Sequence, residues 1–191
     1  MFGALHSLDG PAADALLAVA ADFTPRYQVH GPDDVVLDLA GLERLFGGPE
    51  AIAEELCRAA AGRQLRVRVA LAGTYTAARL VARSESRAGM AIVEAGPEPA
   101  ALERLPIDLL PVVENALPAL RTQVVDTVRR WGIRTRGDLA ALPADGVAAR
   151  LGPLGTEWQR LARGEDLQPM RPEVPKERFE QTLDLEWPID G

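Results

Sequence analysis

The sequence predicts an α+β fold: a mixed sheet with packed helices over residues 1–100, a small all-helical module over 101–166 and an extended tether over 167–191. Three observations support this division. Strand-like and helix-like patterns alternate in the first half of the chain, and only short helical patterns follow the Gly/Pro-rich turn at residues 96–99. The last stretch is interrupted by Pro169, Pro172, Pro175 and Pro188, as is typical of an extended segment. The domain boundary is therefore expected near residues 96–104.

The first half predicts the element order α-β-β-α-β-α-β. Apolar residues at helical spacing and Pro49 at a helix start indicate helices at residues 11–23, from 49 to about 60, and from about 74 to 84. Period-two alternation and turn residues indicate strands at residues 27–30, 35–39, 65–72 and 89–94. The first two strands are separated by Gly-Pro-Asp-Asp at residues 31–34, which predicts a hairpin.

The second half predicts helices only. Their expected positions are residues 105–110, 123–131, 136–142, 145–151 and 154–163. Thr135 is expected to cap the third of these helices, and Gly132 is expected to end the second. Within the tether, residues 181–185 have a strand-like pattern.

Composition limits the function classes. The chain has 191 residues with a formal net charge of −7, so sequence-independent DNA binding would need a local basic patch. The single Cys57 excludes an internal disulfide and is expected to be packed on its helix. No apolar run approaches a membrane span, and the N-terminus does not resemble a signal peptide, so a cytoplasmic location is expected.

The acidic turn is the first candidate site. Asp33 and Asp34 are adjacent at the predicted hairpin, and Asp38 follows four residues on. Carboxylates in such a group can hold Mg²⁺, which prefers one or two of them together with substrate phosphates. A solvated turn is the alternative, because Asp favours turns for local reasons. His6 and His30 lack a second His or Cys at ligand spacing, so zinc is not expected.

The second candidate site is the basic segment at residues 129–136, at the junction of two predicted helices. Its candidate DNA contacts are Arg129, Arg130, Arg134, Thr135 and Arg136. Backbone N–H groups at the second helix's N-terminus could bind a phosphate there. The alternative is an ordinary solvated helix end.

Three segments in order, followed by a fourth near the C-terminus, resemble the Y-family (UmuC- and ImuB-like) translesion polymerases. Residues 33–48, which end in Arg-Leu-Phe-Gly-Gly, resemble the central palm segment, and residues 66–83 resemble a palm strand with its helix. Residues 131–143 resemble the thumb, and residues 179–189 the tether to a little-finger domain. The resemblance implies a partial polymerase palm followed by a thumb of helix-hairpin-helix type.

Departures from the family pattern are concentrated at its functional positions. Asp33 and Asp34 match the two acidic positions of an S-x-D-E motif, but the Ser is absent and the Glu is replaced by a shorter Asp. Tyr75 stands where active members have a Lys that contacts the triphosphate. The thumb hairpin at residues 115–120 has no glycine, and Pro118 lacks an N–H donor. The first palm strand and the fingers are expected to be missing.

The resemblance therefore implies a non-catalytic, ImuB-like accessory of translesion synthesis in the SOS response to DNA damage. Such a protein would bind damaged or primer–template DNA, and its partners would include a sliding clamp, a RecA-like protein and a replicative-type polymerase. No cofactor is expected in isolation. One alternative is a fragment of an active Y-family DNA polymerase, completed by other segments, in which Asp33 and Asp34 hold Mg²⁺. Another is a degraded fragment without a present role.

A missing palm strand would also have a structural consequence. The hairpin at residues 27–39 would have an unpaired edge that invites pairing with another chain. Amides at residues 35–39 are then expected to exchange faster than those at 67–71.

Overall fold

A five-stranded sheet covered by helices forms the first half of the chain. The computed structural model describes residues 1–84, 89–94, 96, 98–109, 118–167 and 169–173. In chain order the elements are β1 (Phe2–Ser7), α1 (Ala13–Phe23), β2 (Tyr27–His30), β3 (Asp34–Asp38), α2 (Glu43–Phe46), α3 (Pro49–Gly62), β4 (Val67–Ala72), α4 (Tyr75–Ala82) and β5 (Gly89–Ile92). The strand order is β2-β3-β1-β4-β5, antiparallel except for β4 and β5. This mixed sheet with packed helices confirms the predicted fold class.

The strand β1 occupies the centre of the sheet, so the expectation that the hairpin lacks a neighbouring strand is wrong. It pairs with β3 in the register His6–Asp34 and with β4 in the register Ser7–Val67. Its short pattern begins with Phe-Gly-Ala, and Gly and Ala are depleted in strands. The glycine has a packing reason, because a Cβ at Gly3 would lie 2.8 Å from Leu39 Cδ1. Residues 8–12 alone join β1 to α1.

The outer edge of β2 is partly covered by the beginning of the predicted tether. Glu173 donates its backbone N–H to the carbonyl oxygen of Tyr27 at 2.8 Å, and Arg171 donates its own to Gln28 Oε1 at 2.9 Å. Met170 packs against the core next to these contacts. Residues 169–173 therefore dock along an edge strand, while the remainder of the predicted tether, including residues 181–185, lies outside the described residues.

The sheet is buried on both faces. On one face Leu5, Val69 and Leu37 pack with α1 and α3, through fully buried residues such as Leu16 and Leu56. Each such side chain contributes roughly 1.5–3 kcal/mol of hydrophobic stabilisation. The other face is covered by α4 through a second cluster of mostly small residues: Ala4, Val36, Ala70, Ala77, Ala78 and Leu80. Small side chains bring α4 close to the strands, which places its polar residues against the acidic turn.

The second half is a bundle of short helices. They are α5 (Glu98–Glu103), a 3-10 turn (Ile107–Leu109), α6 (Pro118–Arg130), α7 (Arg136–Ala140) and α8 (Ala144–Ala162). Their core is formed by Ile107, Val128, Ile133, Leu139, Trp158 and Leu161. The helix predicted at 123–131 is present but begins five residues earlier, at Pro118, and the helix predicted at 136–142 ends at Ala140. Those predicted at 145–151 and 154–163 are the two arms of α8, bent where Gly152 adopts φ 65 before Pro153.

The structure differs from two of the sequence-based expectations for the second half of the chain. The helix predicted at 105–110 is only the 3-10 turn, because Pro106, which pairs with Thr135 as an isolated bridge, interrupts the helical pattern. An additional helix, α5, precedes it, and its Leu102 packs into the α4 cluster of the sheet. Pro118 begins α6, a position that suits proline, whereas residues 115–117 of the glycine-free hairpin lie outside the described residues. Among the described residues, no helix is long and apolar enough to cross a membrane.

The sheet order predicts the pattern of amide exchange. Amides of β1, β3 and β4, each flanked by two strands, should exchange slowly and to a similar extent, because their opening requires disruption of the core. Amides of the edge strand β5 should exchange faster. Hydrogen exchange followed by NMR measures both sets. Faster exchange over Val35–Leu37 than over Val69–Leu71 would contradict the central position of β1.

Candidate functional site

The acidic turn lies at one end of the sheet, beside the last residues of β1. Gly31 adopts φ 70 in the tight turn between β2 and β3, a conformation that favours glycine. The carbonyl oxygen of Asp33 accepts the backbone N–H of Ser7 at 2.8 Å, which fixes the turn to β1. Asp34 begins β3, directly opposite His6, and is only 3% exposed. The turn therefore presents one carboxylate to solvent and buries the other.

Both carboxylate oxygens of Asp34 have partners within the protein. Its Oδ1 lies 2.6 Å from His6 Nδ1, and its Oδ2 contacts Arg83 Nη1, at the C-terminal end of α4. Burial would raise the pKa of Asp34, but the hydrogen bond from His6 and the charge of Arg83 outweigh it, so that its pKa lies below the ordinary value. Asp34 is thus a charged residue whose acceptor positions are engaged.

The group of His6, Asp33 and Asp34 offers a limited metal site. One ligand atom from each lies within 4.8 Å of the others, and Asp33 Oδ2 is 4.0 Å from His6 Nδ1. A Mg²⁺ ion prefers oxygen ligands in octahedral geometry. Here one of the three ligands is a nitrogen, and the guanidinium of Arg83 already neutralises Asp34. These residues therefore do not fit a Mg²⁺ site as arranged.

Asp38, the third carboxylate of the predicted group, lies elsewhere. It is at the opposite end of β3 from Asp34, where its Oδ2 forms an ion pair with Arg26 Nη2 at 2.8 Å. Its Oδ1 accepts the backbone N–H of Ala40 at 3.0 Å. The i, i+4 spacing that suggested proximity would suit a helix, whereas in a strand it spans most of the element.

Tyr75 and His30 extend the polar cluster along the α4 face of the sheet. The Tyr75 hydroxyl contacts His30 Nε2, and the Tyr75 ring packs edge-on against Phe2 with 6.0 Å between ring centroids. His30 is 7% exposed, and burial together with the nearby charge of Arg79 lowers its pKa to about 4. A neutral His30 is therefore the form present at pH 7.

The N-terminus of α4 is occupied by a carboxylate of the same chain. Asp166, which follows α8, accepts the backbone N–H groups of Tyr75 at 3.1 Å and Thr76 at 2.8 Å. Thr74 caps the helix by accepting the N–H of Ala77 at 3.2 Å. A helix N-terminus attracts anions. In this protein Asp166 already satisfies that attraction and joins the helical bundle to the sheet.

The N-terminus of α7 is filled in the same way, which corrects the phosphate-binding interpretation. Asp138 accepts the backbone N–H groups of Arg134 and Thr135, both at 2.9 Å, and these bonds lower the pKa of its carboxyl group. Thr135 completes a capping box by accepting the N–H of Asp138. The backbone N–H of Arg136 is donated to the carbonyl oxygen of Leu105 at 2.9 Å. These four donors are engaged.

The side chains of the basic segment divide into three kinds. Arg136 is fully buried, so its inclusion among exposed DNA contacts is wrong: it packs against the helical core and donates to the carbonyl oxygen of Leu161 at 3.2 Å. Arg129 is exposed but paired with Asp108. Arg130 and Arg134 are exposed. A depression of about 300 Å³ is lined by Ile107, Asp108, Arg129 and Arg134.

The fold is that of the Y-family polymerase palm. The structure superimposes with a TM-score of 0.60 on a Dbh ternary complex, at 16% identity, over 84% of this chain and 46% of that one. DinB from Sulfolobus solfataricus gives a TM-score of 0.60 at 15% identity, over 84% of this chain and 47% of that chain. At these identities the similarity establishes the fold alone.

The sequence comparisons identify the group of relatives. The model of the impB/mucB/samB family matches residues 11–83. A DNA polymerase IV of Dehalococcoides mccartyi is 27% identical over 90% of this chain and 42% of its own length. The protein ImuB of Caulobacter vibrioides is 31% identical over 75% of this chain and 29% of its own length. The chain is therefore a Y-family polymerase-related sequence, and it spans less than half the length of these relatives.

Removal of the buried charge tests the geometry of the turn. Asp34→Asn should lower the free energy of unfolding by about 2 kcal/mol, because it leaves His6 and Arg83 without their anion. Breaking a fully buried ion pair costs roughly 3–5 kcal/mol, and the smaller value is expected here because Arg83 is partly exposed. Urea denaturation at neutral pH measures the loss. The difference should shrink as the pH falls through the lowered pKa of Asp34, since a protonated Asp34 no longer attracts the arginine.

Asp33→Asn is the matched control. Its side chain is 31% exposed, so its loss should cost less than about 1 kcal/mol. Equal losses for the two variants would contradict the different environments of the two carboxylates.

Proposed function

We propose that this chain is the palm-and-thumb part of a non-catalytic, ImuB-like accessory protein of DNA lesion bypass. In this role it binds primer–template DNA weakly through its helical bundle and does not transfer nucleotides. The observation that carries the proposal is the neutralised acidic turn, in which Asp34 is held between His6 and Arg83. Two-metal catalysis needs carboxylates that are free to clamp both ions.

Two further observations favour a non-catalytic role. Tyr75 stands where the family resemblance places a lysine that contacts the triphosphate, and its hydroxyl points to His30. The adjacent helix N-terminus is occupied by Asp166, which would repel a second anion at the same donors. In addition, the short connection at residues 8–12 leaves no room for a fingers subdomain between β1 and α1.

The DNA-binding part of the proposal rests on the exposed arginines near the end of α6. Arg130 and Arg134 flank the turn between α6 and α7, and neither is paired with a carboxylate through its side chain among the contacts described. The chain has a net charge of −7, so binding should be weak and should fall steeply with salt. The same proposal includes the thumb identity of this bundle and a cytoplasmic location. It also includes three partners: a sliding clamp, a RecA-like protein and a replicative-type polymerase.

The alternative is a fragment of an active polymerase that requires further segments. It is favoured by the DNA polymerase IV relatives, which match up to 90% of this chain. In that case a primer terminus or nucleotide would have to displace Arg83 from Asp34 before Mg²⁺ could bind. The two hypotheses differ in whether nucleotide incorporation occurs.

One experiment measures both properties on the same primer–template DNA. The purified chain should bind the DNA at low salt and should not extend the primer with Mg²⁺ or Mn²⁺. The double variant Arg130→Ala/Arg134→Ala should weaken binding for all sequences alike and reduce the salt dependence by about two charges. Gel-shift titrations over a salt series and a primer-extension assay provide the measurements.

A control of equal charge is Arg44→Ala/Arg58→Ala, at α2 and α3 of the sheet module, which should leave binding unchanged. Primer extension that is abolished by Asp33→Ala/Asp34→Ala would overturn the non-catalytic proposal. If both arginine pairs weaken binding equally, the basic segment is not the DNA contact.

A further inference from the structure

An exposed tryptophan lies at the end of α6. Trp131 is 43% exposed, whereas Trp158 of the same bundle is 1% exposed and belongs to its core. Gly132, at φ 81, turns the chain directly after Trp131 and ends the helix. A tryptophan at this turn is not needed for the core, since Val128 and Ile133 on either side supply its buried contacts. Large exposed aromatic residues are often binding residues.

One arginine contacts this tryptophan, and two exposed arginines lie close to it in the sequence. The guanidinium carbon of Arg150 lies over the Trp131 ring, 5.7 Å from its centroid, at a distance suited to a cation–π interaction. Arg130 and Arg134 are exposed within three residues of it in the sequence.

Two acidic side chains of the helical bundle have partners within it. Asp108 pairs with Arg129, and the Asp138 carboxylate accepts backbone N–H groups. Asp126, one helical turn before Arg130, accepts the Nε–H of that arginine through its backbone carbonyl oxygen. The end of α6 therefore carries an exposed aromatic ring with Arg150 over it, and Arg130 and Arg134 are exposed close to it in the sequence.

We infer that Trp131 is a stacking platform for an unpaired nucleobase, and that the chain binds single-stranded DNA here through base stacking as well as phosphate contacts. An exposed aromatic ring next to basic side chains matches the two components of single-stranded DNA, its exposed base faces and its phosphates. In duplex DNA the base faces are stacked on one another, so the ring has nothing to stack on along the helix. The inference rests on the DNA binding proposed above and specifies which strands the bundle prefers.

Fluorescence reports the stacking directly. In a Trp187→Phe background, which removes the tryptophan outside the described residues, Trp131 is the exposed fluorophore and Trp158 the buried one. Addition of oligothymidylate of about 16 nucleotides should quench the emission, because a stacked base quenches an indole. A duplex of the same length should bind without comparable quenching.

Substitutions separate stacking from charge. Trp131→Ala should weaken oligothymidylate binding roughly tenfold and leave duplex binding nearly unchanged, whereas Trp131→Phe should retain most of the affinity. Leu45→Ala is the matched control, because Leu45 is 78% exposed on the sheet module. Circular dichroism melting of the variants verifies that the exposed substitutions leave the fold intact.

The outcomes are distinguishable. Loss of quenching together with selective loss of single-strand affinity in Trp131→Ala supports the inference. Duplex binding that depends on Arg130 and Arg134, together with oligothymidylate binding that is indifferent to Trp131→Ala, overturns the inference and leaves the proposed function standing. Absence of binding to either DNA overturns the DNA-binding role itself.

Discussion

The contact of Asp34 with His6 and Arg83 ties three elements of the palm-like unit together. His6 belongs to β1, Asp34 to β3 and Arg83 to the end of α4, so one buried carboxylate fixes the central strand pair to the helix above it. The small residues of the second cluster, such as Ala4 and Ala77, bring α4 close enough for Arg83 to reach. Charge neutralisation and close packing therefore depend on each other: a bulkier α4 interface would withdraw the arginine and leave a buried anion without its cation.

The same principle recurs at two helix N-termini. Asp166 accepts the first N–H groups of α4, and Asp138 accepts those at the start of α7. At all three places a charged side chain of the protein occupies a position that could otherwise attract a cation or an anionic phosphate. These internal contacts stabilise the fold, and the contact of Asp166 connects the helical bundle to the sheet. It also favours a binding role over catalysis, since a catalytic site must keep such positions open for its substrate.

The sequence supports the fold class and most elements, because the hydrophobic periodicity of α1, α3, β3 and β4 is strong. It does not reveal β1, because Gly3 and Ala4 are residue types that are uncommon in strands. The glycine is nevertheless required in the structure, since Leu39 lies too close for a Cβ at position 3. Among the site residues, the pairing of Asp34 with His6 depends on the register between β1 and β3. Asp166 accepts a hydrogen bond from the backbone of Thr76, which lies 90 residues away in the sequence. Such long-range contacts leave no local sequence signal. The burial of Arg136 was equally hidden, because a basic run near a glycine turn resembles an exposed helix end.

A paramagnetic titration tests the central claim most directly. Mn²⁺ broadens the NMR signals of nuclei near its binding site, so addition of Mn²⁺ to the protein reports whether the acidic turn can hold a divalent ion. If Arg83 neutralises Asp34 and His6 occupies its other oxygen, no localised broadening of the signals of His6, Asp33 and Asp34 is expected, and Arg83→Gln should make broadening appear there. Selective broadening of these signals in the unaltered protein, removed by Asp34→Asn, would contradict it.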